Sequence, residues 1–169
     1  MKITKIEVLH CDGGWRTWAF VKIQTDEGVT GWSECTDAFG STKGVAAVVN
    51  DLEHVLLEKD PLAYEKLFWD MYTVTRQSPG SVVQKAIAGI ENALLDIAGK
   101  SYGVPVHQLF GGPIRDRVPL YWSHCGTTRV RAFDKVEKPA IKSLEDITAF
   151  GAEIKASGYK AIKTNPAFF

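Results

Sequence analysis

Four groups of residues in this chain have the types and spacing to do chemistry. Lys163 and Asn165 stand two apart in GYKAIKTN, so on an extended strand both side chains fall on one side and form either a joint site or an ordinary solvated strand end. His124 follows the β-favouring run Val118 to Ser123 and is either a substrate contact or a polar residue closing a strand. Arg129 and Arg131, a few residues on, either fork onto a carboxylate or lie on a solvated loop face. The fourth group sits in two glycine-flanked stretches near the N-terminus, Trp15 and Arg16 beside Gly13 and Gly14, and Asp37 and Phe39 beside Gly40. Aromatic residues in such loops suit a lid that excludes water, and a Trp packed onto the core is the other reading.

Other chemistries are missing from the pattern. His10, His54 and His107 have no acidic or cysteine partner at metal-ligand spacing and read as structural or surface residues. No P-loop, GxGxxG, GxSxG or HExxH string occurs, which removes the nucleotide and hydrolase mechanisms that depend on them. Twenty Lys+Arg balance twenty Asp+Glu, so neither a nucleic-acid face nor adhesion to anionic membranes is expected, whereas small neutral or anionic metabolites fit. Cys11, Cys35 and Cys125 are widely spaced with no CxxC, which implies reduced thiols and neither a disulfide framework nor a zinc site. No apolar run reaches the roughly 18 residues of a membrane span, and MKITKIEVLH alternates where a signal core would be continuous, so a soluble cytoplasmic protein is expected.

The elements that must position these residues follow from periodicity. Val83, Ile87, Ile90, Leu94 and Ile97 recur at helical spacing and predict one buried face of a helix that begins at Ser81, with Gln84 as its reciprocal capping partner. Gly99 and Gly103 offer places to stop, and Pro105 opens a short helix that Gly111 and Gly112 end. Ahead of it, Ile3 to Leu9 alternates as a strand, with Ile3, Lys5, Glu7 and Leu9 on one side and Thr4, Ile6, Val8 and His10 on the other. Cys11 to Arg16 reads as a mobile loop. Ala19 to Thr25 and Val29 to Glu34 form a hairpin around Asp26-Glu27-Gly28. After a loop from Cys35 to Ser41, Thr42 caps a helix with Val45, Val48, Val49, Leu52 and Leu56 on one face. Asp60-Pro61 starts another, whose buried face is Tyr64, Leu67, Phe68, Met71 and Tyr72. Further on come a buried strand, Val118 to Ser123, a long polar loop from His124 to Lys142, a helix capped by Ser143 with Leu144, Ile147, Phe150 and Ile154 inward, and a strand from Tyr159 to Thr164. Strand, helix, strand implies a parallel crossover.

The string AIAGIENALLDIAGKSYGVPVHQLFGG, preceded by FVKIQTDEGVTGWSE and followed by VPLYW and GYKAIKTN, resembles the mandelate racemase and muconate lactonizing enzyme family of the enolase superfamily. The resemblance implies an α+β capping domain over residues 1–117, a three-stranded antiparallel sheet plus a helical part. It implies further that residues 118–169 open a (β/α) barrel of the TIM type, incomplete in this chain, since a whole barrel takes about 250 residues. The implied activity is removal of the proton α to a carboxylate, with Mg2+ holding the enediolate. The family's carboxylate ligands for Mg2+ lie on later barrel strands, so no metal is expected to bind this chain alone. By the same resemblance Trp15, Arg16, Asp37 and Phe39 occupy cap loops that close over the barrel mouth. Lys163 and Asn165 fall where family members carry Lys-x-Lys, whose second lysine is a base. An amide takes up no proton at neutral pH, so Asn165 favours the acid-sugar dehydratases of the family, in which Lys163 would neutralise the substrate carboxylate and Asn165 donate a hydrogen bond. His124 and Arg129 are the further expected substrate contacts. A small carboxylate of the acid-sugar type is the expected partner, in a homo-oligomer. A racemase, epimerase or cycloisomerase is the alternative, and a non-catalytic interaction module the alternative from another class.

Overall fold

The computed structural model describes residues 1–14, 16–37 and 40–165. They fall into two compact units, Met1–Pro113 and Ile114–Phe169, each with its own apolar cluster.

In the first unit β1 (Ile3–Asp12), β2 (Thr17–Thr25) and β3 (Thr30–Glu34) form an antiparallel sheet in that order. β2 alternates as a half-buried strand must, with Ala19, Val21 and Ile23 inside and Phe20, Lys22 and Gln24 partly exposed. β1 departs from its expected alternation. A register irregularity between Ile3 and Lys5 turns both Ile3 and Ile6 into the core, although they have opposite parity. β1 also continues through Cys11 and Asp12, which pair with Trp18 and Thr17, so the expected loop shrinks to a turn closed by the Gly13 N–H donating to the Arg16 carbonyl at 2.9 Å. The β2 to β3 hairpin forms as predicted, with Gly28 at φ 80° and the Thr25 hydroxyl donating to the Val29 carbonyl at 2.9 Å. On the outer face Glu7, Lys22 and Trp32 line up across the three strands; Lys22 meets Glu7 at 3.1 Å and lies 5.4 Å from the Trp32 ring centroid.

Three helices cover the inner face. α1 (Thr42–Leu56) buries Val45, Val49, Leu52 and Leu56. Its cap is Ser41, whose hydroxyl accepts the Gly44 N–H at 2.9 Å, because the hydroxyl of the expected cap, Thr42, donates instead to the Asp37 carbonyl at 3.1 Å. α2 (Tyr64–Val74) starts later than Asp60-Pro61 predicts, since the Asp60 carboxylate accepts the Leu62 N–H at 3.0 Å and spends its capping capacity on a turn. It buries Leu67 and Met71, whereas Tyr72 stays exposed in a ring cluster with Phe68 and Trp69. α3 (Ser81–Tyr102) buries Ile87, Ile90, Leu94 and Ile97 as its spacing predicts. No side chain caps it; the Gln84 N–H donates to the Gly80 carbonyl at 3.3 Å, so backbone replaces the expected Ser81 and Gln84 exchange. Gly103 ends it at φ 68°, with the Val104 N–H reaching the Gly99 carbonyl at 2.9 Å. A 3-10 turn over Val106–Phe110 follows.

α3 lies very close to β3. Gly31 sits against the Ala93 carbonyl and Ile97, and Gly89 against Cys35 and Val21, with no room for a Cβ at either. The close approach lets α3 satisfy the outer edge of β3: the Trp32 N–H donates to Asp96 Oδ2 at 2.9 Å, Lys100 Nζ donates to the Thr30 carbonyl at 2.7 Å, and the Ser33 hydroxyl donates to the Gly89 carbonyl. Glycine at these two positions is therefore a packing requirement.

The second unit corrects two predicted strands. Val118–Ser123 and Tyr159–Thr164 share a single parallel bridge, Trp122 to Ile162, and Val118, Leu120 and Tyr121 are exposed rather than buried. A strand meant for burial between two neighbours has only one here, which is too little sheet to propagate. The expected loop from His124 to Lys142 winds into α4 (Thr127–Arg131) and a 3-10 turn (Phe133–Lys135). α5 (Leu144–Ala156) starts at Ser143 as predicted, and Asp146 completes a capping box: the Ser143 hydroxyl accepts the Asp146 N–H at 3.1 Å and Asp146 Oδ2 accepts the Ser143 N–H at 3.0 Å. Phe150 is buried with Cys125 and Ile141, while Leu144, expected inward, is exposed. Among the described residues no helix is long and apolar enough to cross a membrane.

Replacing Gly31 with alanine should cost roughly 1–3 kcal/mol, because the new methyl meets the α3 backbone, which cannot swing aside as a side chain end can. Gly151→Ala, on α5 with nothing within 4 Å of the new methyl, should instead gain roughly 0.5–1 kcal/mol. Urea unfolding of the two variants beside the parent checks both signs.

Candidate functional site

In the first unit two of the predicted substrate residues come together. Arg16, at the β1 to β2 turn, and Asp37, in the segment before α1, line one cleft of about 660 Å³ with His10, Ser41 and Lys43. They are 21 positions apart in sequence and meet because β1, β2 and the start of α1 end at one side of the sheet. Trp15 and Phe39, predicted for the same loops, lie outside the described residues. The Arg16 guanidinium lies 5.3 Å from the Trp18 ring centroid.

Asp37 is held more firmly than a substrate-facing carboxylate would be. Its side chain is 9% exposed; Oδ1 takes an ion pair from Lys85 Nζ at 2.7 Å and Oδ2 accepts the Ser41 N–H at 3.2 Å. The Lys85 bond, followed by the backbone N–H groups of Ser41 and Gly40, pulls its carboxyl below the usual aspartate range against the opposing effect of burial. Asp37 thus ties the segment before α1 to α3. Lys85 has no local sequence signal for this, being 48 positions from its partner.

In the second unit the structure sets His124 and Lys163 at the same ends of the paired segments. The Trp122 N–H donates to the Ala161 carbonyl at 3.1 Å, the Lys163 N–H to the Trp122 carbonyl at 2.9 Å and the Cys125 N–H to the Lys163 carbonyl at 2.9 Å. His124 is exposed in a left-handed backbone conformation, φ 53°, and Lys163 and Asn165 are exposed as well. Arg129 is different. Sequence alone offered it to a substrate carboxylate, but its Nη1 and Nη2 donate to Glu153 at 2.7 and 2.6 Å, it lies 4.6 Å from the Phe150 ring centroid, and it is 8% exposed. Its fork is filled by α5. Glu153, which no sequence pattern singled out, is held below the usual glutamate range by that pair. The buried thiol of Cys35 is pushed up to about 11 by loss of solvent, and burial raises Cys125 too, which works against thiolate formation at both.

Among the described residues no group of three or more His, Cys, Asp or Glu side chains could hold a metal ion. The donor set needed for Mg2+, several convergent carboxylate oxygens, is thus not assembled by them.

A two-unit chain with a three-stranded sheet, a covering helical layer and a following parallel βα segment defines a capping domain joined to the opening of an α/β domain. The sequence profile of the mandelate racemase / muconate lactonizing enzyme N-terminal domain matches residues 13–111. The chain belongs to that family. A D-galactonate dehydratase of Xanthomonas campestris pv. campestris (strain B100) is 41% identical over 121 residues, which is 72% of this chain and 31% of the relative. One from Variovorax paradoxus (strain S110) is 42% identical over 121 residues, with the same coverage. The chain therefore spans about a third of the length of these curated relatives. Among solved structures, a Burkholderia xenovorans LB400 protein named as a candidate L-alanine-DL-glutamate epimerase, bound to magnesium and fumarate, superimposes with a TM-score of 0.90 at 43% identity over 97% of this chain and 40% of that one. A candidate dehydratase from Mesorhizobium loti gives 0.80 at 33% identity over 96% of this chain and 41% of that one.

Because the Asp37 pKa is lower in the folded state than the unfolded value of about 3.9, the Lys85 pair contributes its full stability above that pH and loses it as pH falls through the lowered value. Lys85→Met should therefore raise the Asp37 carboxyl titration toward the ordinary range and flatten the acid side of the stability profile. Carbon-detected NMR titration of Asp37, with melting temperatures from pH 2 to 6, reads both.

Proposed function

We propose that this chain supplies the substrate-covering cap and the first barrel segment of an acid-sugar dehydratase acting by proton abstraction α to a carboxylate. Residues 1–117 form the cap and 118–169 the start of the catalytic domain in this reading. The observation that supports it most is the parallel pairing of Trp122 with Ile162, which sets His124 and Lys163 at the same strand ends, where parallel α/β folds gather their reacting groups. Lys163 would pair with the substrate carboxylate and so favour the charge that builds up on it when the α-proton leaves. Asn165 would donate a hydrogen bond to that carboxylate or to a hydroxyl. The C–H bond α to the carboxylate breaks, a carbon–carbon double bond forms, and the β C–O bond breaks with loss of water, giving an enol that becomes the 2-keto acid. Asn165 cannot accept the α-proton, so the base is a residue other than Asn165. Arg16, which lines the cleft of the first unit, is a proposed substrate-binding residue of the cap, and exclusion of water there would strengthen its polar contact. Mg2+ is the proposed cofactor of the complete enzyme, held by carboxylates other than those described, and the proposed enzyme is a homo-oligomer.

The second reading is an epimerase of the same family, favoured by the name of the Burkholderia structure. One experiment separates them. The complete protein, with Mg2+ and then with EDTA, is offered a panel of aldonic and aldaric acids that includes D-galactonate, and 2-keto-3-deoxy acid formation is followed. Turnover of at least one acid, lost with EDTA and lowered roughly 100-fold by Lys163→Met, is the expected result. Deuterium exchange at the α-carbon without loss of water would favour epimerisation instead. No turnover and no exchange on any member would overturn the catalytic reading. Asn165→Lys should be unnecessary for activity, and a variant active only with that change would exclude dehydration as proposed.

A further inference from the structure

Cys125 joins the two segments that carry His124 and Lys163. Its N–H donates to the Lys163 carbonyl at 2.9 Å and its own carbonyl accepts the Thr164 hydroxyl at 2.9 Å. The backbone at residue 163 fixes where the lysine side chain begins, so displacement of Cys125 displaces Lys163. Cys125 is held in turn from α5. Gly126 packs so closely on the Phe150 ring that a Cβ there would stand 2.9 Å from it. The Gly126 carbonyl accepts the N–H groups of Arg129 and Val130 at 3.0 and 3.2 Å, starting α4. The Arg129 side chain then returns to α5, forks onto Glu153 and lies against the same Phe150 ring.

Stability alone is a poor account of this pair. Taking a guanidinium out of water has a cost that ion pairing about cancels, and packed apolar side chains of similar volume often serve as well or better. What two parallel bonds supply is direction, because they fix the plane of the guanidinium and with it the seating of α4 on α5. At five residues α4 is too short to be stable by itself, so its seating must come from such contacts.

We infer that Arg129 and Glu153 are positioning residues for Lys163 and His124, acting through Gly126 and Cys125. The inference rests on the reading of Lys163 as the carboxylate-binding residue. Arg129 is the buried partner and Glu153 is 43% exposed, so Glu153→Leu alone would strand a buried guanidinium, and the informative variant is Arg129→Met with Glu153→Leu in the complete enzyme. The expected result is a melting temperature no lower than the parent's, kcat reduced between about tenfold and 100-fold, as displacement of a reacting group by about 1 Å implies, and amide exchange at Cys125 and Lys163 at least about tenfold faster. Exchanging the two residues, Arg129→Glu with Glu153→Arg, should recover most of the lost kcat. Unchanged kcat in the apolar double variant would overturn the inference. So would a fall in kcat that tracks a fall in melting temperature and is not recovered by the exchange. If the parent turns over no acid sugar, the functional reading fails by itself, and the exchange rates at Cys125 and Lys163 still decide: rates equal to the parent's would overturn the positioning role.

Discussion

α3 can lie against the sheet only because glycine stands on both sides of the contact, Gly31 of β3 against Ala93 and Ile97 and Gly89 of α3 against Val21 of β2 and Cys35. With no Cβ at Gly31 or Gly89, the helix comes near enough for its own side chains to take over the hydrogen bonding of the sheet edge. An uncovered edge strand of five residues would be weakly held and open to pairing with another chain. With α3 in place, burial of Ile87, Ile90, Leu94 and Ile97, each worth roughly 1.5–3 kcal/mol, is coupled to the geometry of the strands. The remainder of the first unit is arranged around that contact: α1 packs beside α3 on the same face, and α2 adds Leu67 and Met71 to the cluster.

The same helix reaches the cap cleft. Lys85 is on the second turn of α3, so the segment carrying Asp37 is tied to the best-packed element of the unit. The tie decides what Asp37 does. With an ammonium on one oxygen, a backbone N–H on the other and a side chain only 9% exposed, Asp37 presents little open surface to the cleft. Arg16, His10 and Lys43 are further charged or titratable side chains lining the cleft beside it.

The second unit is organised by a smaller cluster of Cys125, Ile141 and Phe150, with Trp122, Val130, Ile147 and Ile154 packed around it. One parallel bridge and a capped helix give it secondary structure, and the Arg129 to Glu153 pair orients the short helix between them. The exposed side chains of Val118, Leu120 and Tyr121 are of the kind that barrel strands bury, which agrees with membership in a family whose relatives are more than twice as long.

The sequence by itself determined the elements whose signal is local. α3 was legible because its apolar residues repeat at helical spacing, the β2 to β3 hairpin because Gly28 is the residue a tight turn needs, and the start of α5 because a serine cap is read within four residues. The family was legible from whole strings of such elements in order. Tertiary structure decided whatever depends on partners distant in the chain. A contact five positions back also decided a cap, since Ser41 rather than Thr42 caps α1 where the threonine hydroxyl donates to the Asp37 carbonyl. Ile3 and Ile6 share the core because the β1 register slips where the strand meets β2. The fork of Arg129 is filled by Glu153, 24 positions away, and Asp37 is tied to Lys85, 48 positions away, neither of which the sequence pattern announced. Charged side chains carry no periodic signature of their partners, and in both of these ion pairs the partners are brought together by the packing of segments distant in the chain.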